Sequence, residues 1–167
     1  MYRMALVSAF CVFLAVVGGS AAADEPGLLV RLYDVGTEMS WLPELVAGQL
    51  PNEVKVVPTL DLRLERKDFG ALQENFLTEV VGRIKIDQAG GYTFRLISDD
   101  GARLWIDERV VIDHDGTHGS TPKDGRVDLT AGPHELRILH FNGYGGAQLT
   151  LHWLPPAAKL DGFEPVP

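Results

Sequence analysis

From Gly27 onward, the sequence alternates apolar and polar residues in short runs that are separated by turn-forming residues. In the clearest run, Gly82, Ile84 and Ile86 alternate with charged residues. A period of two residues is typical of a β-strand with one buried face, and little of the chain has helical spacing. The pattern therefore predicts an all-β domain, an antiparallel β-sandwich or barrel with seven or more strands.

Two pairs of alternating runs predict β-hairpins. Residues 82–86 and 92–96 flank a glycine-rich turn at 88–91, and residues 102–106 and 110–112 flank a short link at 107–109. A tight turn between two alternating runs is the usual signal of neighbouring antiparallel strands. We therefore expect each pair to form one hairpin.

The first 23 residues have the organisation of a secretory signal peptide. Arg3 supplies a positive charge, residues 5–17 form an apolar run, and Ala21–Ala23 supply small residues before a cleavage point. The apolar run is shorter than the roughly 20 residues that a membrane span requires. We therefore predict a signal peptide at 1–23, a β domain at 24–155 and a proline-containing tail or linker at 156–167. The predicted location is secreted, extracellular or periplasmic, with no membrane span.

Charge and cysteine content exclude several classes of protein. The chain has 15 Lys and Arg residues against 23 Asp and Glu residues, and loss of Arg3 with the leader leaves 14 basic side chains. So acidic a domain is not expected to bind nucleic acid. The single cysteine, Cys11, lies in the leader, so no disulfide is expected and a packed core or a metal must supply stability.

Two short segments contain candidate ligands for a hard cation. Asp99 and Asp100 are consecutive in a Ser-Asp-Asp-Gly turn, and calcium favours carboxylate and carbonyl oxygens. The second segment, Asn142–Gly146, has three glycines that allow backbone carbonyls to face a ligand. For each segment by itself, a solvated or flexible turn is the favoured interpretation.

A third segment, Asp113–Gly119, contains two histidines and two aspartates. His114 and His118 could bind zinc together with an aspartate, but no cysteine or third histidine is near. A turn capped by a side chain is the favoured interpretation. No nucleophile motif or acid–base pair stands out, so we predict that the chain is not an enzyme.

Taken together, four segments resemble the PA-fourteen domain family, which is named for the anthrax protective antigen and occurs in yeast flocculins, adhesins and some β-glucosidases. The resemblance is strongest over residues 80–153. The segments that carry it are Gly91–Asp107, Val111–His118, Leu129–His134 and Phe141–Trp153.

The resemblance implies a calcium site in a lectin-like β domain. In such members, two consecutive aspartates joined by a cis peptide, an asparagine from a later loop and carbonyls of that loop hold the ion. Asp99, Asp100 and Asn142 match the side-chain ligands, and Tyr144 and Gly146 match the carbonyl ligands. About five protein oxygens would leave roughly two positions of a seven-coordinate calcium ion for sugar hydroxyls. The ring of Tyr144 would border the sugar.

The sequence therefore supports a secreted, calcium-dependent carbohydrate-binding module with a role in adhesion. Its expected partners are glycans or a cell-surface polysaccharide. The residues expected to bind the sugar are Asp99, Asp100, Asn142 and Tyr144. Two alternatives remain open. The chain could be a structural or protein-interaction β-module without metal, or an accessory part of a larger glycan-degrading protein with neighbouring modules.

Overall fold

A computed structural model describes residues 27–46, 48–156, 158 and 162–167. The predicted signal peptide lies outside these residues. The described chain contains eleven β-strands and one turn of 3-10 helix at Leu64–Arg66. The strands are β1 (Leu28–Asp34), β2 (Glu53–Val57), β3 (Asp61–Arg63), β4 (Phe76–Ile86), β5 (Gly90–Asp99), β6 (Ala102–Ile106), β7 (Arg109–His114), β8 (Thr121–Leu129), β9 (Gly132–Asn142), β10 (Gln148–Leu154) and β11 (Glu164–Pro165).

The strands form two antiparallel sheets that enclose one main core, which confirms the predicted all-β sandwich. The first sheet has the order β2-β1-β4-β9-β6-β7, and the second has the order β11-β10-β5-β8, with β3 also paired to β10. The alternating residues of β5 illustrate why the sequence pattern works: Tyr92, Phe94 and Leu96 are buried, whereas the residues between them are only partly buried. Burying such a side chain contributes about 1.5–3 kcal/mol.

The first predicted hairpin is wrong, and the second is confirmed. β4 pairs with β1 and β9, whereas β5 pairs with β8 and β10, so the turn at 88–91 crosses from one sheet to the other. Alternation gives the same signal in both cases, because either strand must bury one face in the shared core. β6 and β7 do pair, through a turn in which Asp107 and Glu108 have φ angles of 47° and 65°. Two residues of positive φ are typical of a tight hairpin turn.

The C-terminal segment differs from the expected tail or linker. β11 pairs with β10, and Val166 is only 2% exposed within the core. The guanidinium carbon of Arg95 lies 3.9 Å from the ring centroid of Phe163. The strand pairing, the buried Val166 and the cation-π contact hold the described residues 162–167 on the sandwich, although Pro155 and Pro156 interrupt the strand pattern.

Three connections cross between the sheets at the same end of the sandwich. They are residues 100–101 between β5 and β6, residues 115–120 between β7 and β8, and residues 143–147 between β9 and β10. The long connection between β1 and β2 reaches the same end, because Val35 donates a hydrogen bond to the carbonyl of Asn75, and Asn75 donates one to the carbonyl of Gly143. None of the described residues belongs to a helix long and apolar enough to cross a membrane.

At the opposite end, His134 forms an ion pair with Asp107. His134 Nδ1 donates to Asp107 Oδ2 over 2.5 Å, and Nε2 donates to the carbonyl of Thr130 over 2.9 Å. Asp107 raises the pKa of His134, and His134 lowers the pKa of Asp107. The stabilisation from His134 is therefore complete below its unfolded pKa of about 6.5, and it is lost as the pH rises through the raised folded value.

We predict that His134→Gln lowers the melting temperature more at about pH 5, where both partners are charged, than at about pH 9. Circular dichroism melts at the two pH values measure the difference. The same exchange at His152, on the other sheet, is the control. An equal loss at both pH values in His134→Gln would contradict the assigned ion pair.

Candidate functional site

Asp100 lies in the first of the three crossing connections, and its carboxylate binds the other two, 115–120 and 143–147. Asp100 is 3% exposed. Its Oδ1 accepts a hydrogen bond from the backbone N–H of His118 at 3.0 Å, and its Oδ2 accepts one from the N–H of Gly143 at 2.9 Å. A carboxylate has about four lone-pair positions, so these bonds leave about two for other partners.

The peptide bond between Asp99 and Asp100 is cis, as the resemblance implies. The carbonyl oxygen of Asp99 accepts a hydrogen bond from Nε2 of His140 at 2.9 Å. His140 is completely buried, and burial lowers its pKa to about 4. It is therefore neutral at physiological pH and uses its single N–H to hold the Asp99 carbonyl. The rings of Phe69 and Phe76 lie 5.8 Å and 6.2 Å from the imidazole.

The surroundings of Asp99 disfavour the charged form of its side chain. Burial raises the pKa of Asp99, and the adjacent charge of Asp100 raises it further, whereas a positive charge on His118 acts in the opposite direction. Two partly desolvated carboxylates in sequence repel one another. A bound cation would remove this cost, because it would favour the charged form of both groups.

Asn142 supplies an acceptor that has no partner. The side chain is completely buried, and its Nδ2 donates to the carbonyl of Gln73 at 3.2 Å. Its Oδ1 makes no hydrogen bond within the described part of the chain. A buried unpaired polar atom costs free energy, and an additional partner at this oxygen would remove that cost. A hard cation is such a partner.

The loop after Asn142 fits closely around the aspartates. A Cβ atom built at Gly146 would lie 3.1 Å from Asp99 Oδ2, and one built at Gly143 would lie 3.1 Å from the carbonyl oxygen of Met39. These contacts are tighter than a side chain normally tolerates, so glycine is favoured at both positions. The side chain of Tyr144, between them, is 56% exposed.

The chemistry of this site fits calcium better than a transition metal. Its available groups are carboxylate, amide and carbonyl oxygens, which are the ligands of hard cations. Among the described residues, no group of three or more His, Cys, Asp or Glu side chains could hold a metal ion. Such a group is not needed here, because the sequence predicts only two carboxylates and takes its other ligands from Asn142 and the backbone.

The geometry brings the predicted segments together. Asp99 and Asp100 meet the loop that contains Asn142, Tyr144 and Gly146, although their assignment as calcium ligands stays a prediction. The residues that sequence reasoning missed are the backbone donors His118 and Gly143 and the imidazole of His140. Alternation places His140 on the inward face of β9 with Leu136 and Ile138, but it carries no sign of the hydrogen bond to the Asp99 carbonyl.

The histidine segment has the features of a capped turn. Asp115 Oδ1 accepts hydrogen bonds from the N–H groups of Gly116 and Leu42, both at 2.7 Å. The rings of His114 and His118 lie 4.0 Å apart, and His118 Nε2 contacts the carbonyl oxygen of His114. Asp115 therefore fixes the turn next to Asp100, which favours the side-chain cap over the zinc site.

A separate groove lies on the outer face of the first sheet. Its volume is about 920 Å³, and Trp105 and Arg137 contribute to its wall. The guanidinium carbon of Arg137 lies 4.9 Å from the ring centroid of Trp105. The predicted ligands Asp99, Asp100 and Asn142 do not line this groove, so it is distinct from the site at the end of the sandwich.

A family model of the PA14 domain matches residues 24–165. The chain belongs to the PA14 domain family. This confirms the resemblance found in the sequence. A comparison with curated proteins gives no match.

Solved structures share the PA14 fold. A PA14 sugar-binding domain from an RTX adhesin has a TM-score of 0.67 and 21% identity, over 84% of this chain and 94% of that domain. The A domain of a subtype-switched epithelial adhesin from Candida glabrata, in complex with β-lactose, has a TM-score of 0.58 and 12% identity, over 85% and 88% of the two chains.

An anti-sigma factor domain-containing protein gives a TM-score of 0.68 and 20% identity. The match covers 86% of this chain but only 46% of that protein, so the PA14 domain spans about half of its length. At these identities, the structural matches show the fold alone.

The two aspartates of this PA14 domain should respond differently to neutralisation without metal. In a chelator, Asp100→Asn should lower the free energy of unfolding by about 1–3 kcal/mol, because an amide cannot accept from both His118 and Gly143. Asp99→Asn should leave stability unchanged or raise it, because it removes a repelled charge. Urea unfolding measures both values. Equal destabilisation by the two variants would contradict the assigned contacts.

Proposed function

We propose that this PA14 domain is an exported, calcium-dependent carbohydrate-binding module. The observation that carries the proposal is the unpartnered Oδ1 of Asn142, which is buried beside a loop held against two adjacent carboxylates. The side chains that would bind calcium are Asp99, Asp100 and Asn142. The carbonyl oxygens of Tyr144 and Gly146 would complete the protein ligands.

When bound, calcium supplies a hard, positively charged centre that accepts oxygen atoms of sugar hydroxyls. The protein fixes the positions of its own ligands. His140 holds the carbonyl of Asp99, and the backbone donors His118 and Gly143 hold the carboxylate of Asp100. Such preorganisation lowers the entropic cost of binding, because the loops do not have to become ordered around the ligand.

Two of the similar structures support the choice of sugar as ligand. One is described as a sugar-binding PA14 domain of an adhesin, and the other is an adhesin domain in complex with β-lactose. Adhesins act outside the cell, which agrees with the signal peptide predicted at residues 1–23. We infer an extracellular or periplasmic module that binds glycans or a cell-surface polysaccharide. It acts alone or beside neighbouring modules, and binding rather than catalysis is its role.

The alternative is a structural or protein-interaction module without metal. The specific observation in its favour is that both oxygens of Asp100 already accept backbone hydrogen bonds. Asp100 would then act only to fasten two loops. This alternative leaves the free Oδ1 of Asn142 and the charge of Asp99 without a function, and for that reason it ranks second.

Calorimetric titration of calcium into the purified protein tests the proposal. We expect one ion per chain with a dissociation constant of about 10⁻⁴–10⁻³ M, as in extracellular modules, and a rise in melting temperature with calcium concentration. Asp99→Asn should weaken binding more than about tenfold, which corresponds to about 1.4 kcal/mol. Asp87→Asn, which neutralises an exposed carboxylate elsewhere, is the matched control.

Sugar binding should need the same ion. A glycan array probed with wild-type protein should give signals in calcium that disappear in a chelator and in Asp99→Asn. Signals that persist in the chelator would overturn the calcium mechanism. The absence of both calcium and sugar binding would favour the structural alternative.

A further inference from the structure

On the outer face of the first sheet, one row of side chains crosses all six strands. Leu28, Val30 and Leu32 of β1 face the core, so Leu29 faces outward. The strand registers align Leu29 with outward residues of the other five strands. From edge to edge, this outer row consists of Val56, Leu29, Val81, Arg137, Trp105 and Val110. At a strand spacing of about 4.8 Å, the row is about 24 Å long.

The outer row is mainly apolar. Its one charged member, Arg137, forms an ion pair with Glu79 at 2.9 Å. Val56 and Val110, at the two ends, are 59% and 53% exposed. All of the row except Val110 lines the groove on this face, so the row forms a hollow apolar surface. An apolar surface that remains open across a whole sheet is typical of a site that binds another molecule.

The connection between β1 and β2, residues 35–52, covers the other half of the same face. Tyr33, Leu77 and Phe141 lie in register on the sheet, and they are buried in a second small core with Met39 of the connection. The outer face therefore has two parts. We call them the raised half, which is formed by the connection, and the recessed half, which is formed by the outer row.

The solvent side of the raised half is also apolar. Val46 and Leu50 of the connection are 71% and 85% exposed, whereas Met39 packs inward on the sheet. A protruding apolar surface thus lies beside a hollow one on the same face. A rotation by 180° about an axis between the two halves brings the raised half of each copy onto the recessed half of another. Such a contact is closed and uses each surface twice.

The distribution of charge also favours a second copy as the partner. The chain has a formal net charge of −8, which opposes contact between most parts of two copies. The connection contains Glu38 and Glu44 and no basic residue. In the lining of the recessed half, however, two arginines balance two glutamates, namely Arg83, Arg137, Glu108 and Glu135. An acidic connection can therefore pack there without facing a net negative charge, and its carboxylates have arginines to pair with.

We propose that this chain forms a symmetric dimer in which the connection of each copy packs in the recessed half of the other. Val46 and Leu50 of one copy cover the outer row of the second copy, which removes apolar surface of both from water. The inference does not rest on the proposed function, because neither calcium nor sugar takes part in the contact. A dimer would present two proposed calcium sites, and paired sites strengthen binding to a multivalent surface.

Sedimentation equilibrium of the purified protein over a range of concentrations, in a chelator, tests the proposal. The recessed half is altered by Val56→Glu and by Trp105→Ala, and the raised half by Leu50→Lys. Thr93→Lys, which adds a charge to the outer face of the second sheet, is the control. Melting temperatures verify that each variant is folded.

The wild type should associate to a dimer as its concentration rises. Each of the three interface variants should weaken the dimer at least about tenfold, because a charge or a void then lies in an apolar contact. Thr93→Lys should associate as the wild type does.

A mixture of two variants tests the arrangement of the copies. A dimer of Leu50→Lys with Val56→Glu contains one unaltered contact, between the connection of the second variant and the recessed half of the first. Its other contact places a lysine near a glutamate. The mixture should therefore associate more strongly than either variant does alone.

Four results would overturn the inference. They are a wild type that remains a monomer up to about 1 mM, which would leave the groove to a partner of different sequence; association that Val56→Glu and Leu50→Lys do not weaken; a mixture that associates no better than its components; and an equal loss in Thr93→Lys. None of them affects the proposed function, which calcium and sugar titrations test separately.

Discussion

The carboxylate of Asp100 is the contact on which the arrangement of the loops depends. It is almost completely buried, and it binds one backbone N–H from each of two loops that connect different pairs of strands. A buried carboxylate is costly unless hydrogen bonds compensate it, so the two donors and Asp100 require each other. The strands alone do not connect these two loops. Asp100 holds both of them in position beside Asp99 and Asp100.

This contact also explains how one pair of aspartates can have two roles. Asp100 organises the backbone, and Asp99 remains less satisfied, with a pKa raised by burial and by its neighbour. The unpaired amide oxygen of Asn142 adds a second unsatisfied group. The fold itself does not dictate this combination, because a fold does not by itself imply a function. Function is therefore argued from these side chains, and the sheets position them.

The sequence predicts the architecture well, because alternation records which face of each strand is buried. It does not record which strands pair: residues 82–86 and 92–96 look like one hairpin but belong to opposite sheets. The short β11 was also missed, since two residues cannot show a period. For the site, Asp99, Asp100 and Asn142 could be named from a family resemblance. The backbone donors of His118 and Gly143 have no signal in the sequence, and only the folded contacts place them at Asp100.

A crystal structure of the protein grown in calcium chloride tests the central claim most directly. The account predicts a single ion at the end of the sandwich, ligated by carboxylate oxygens of Asp99 and Asp100 and by Oδ1 of Asn142. The hydrogen bonds from His118 and Gly143 to Asp100 should persist beside it. A structure in which Asn142 Oδ1 instead binds water and no ion is present, or in which calcium binds elsewhere, would contradict the account.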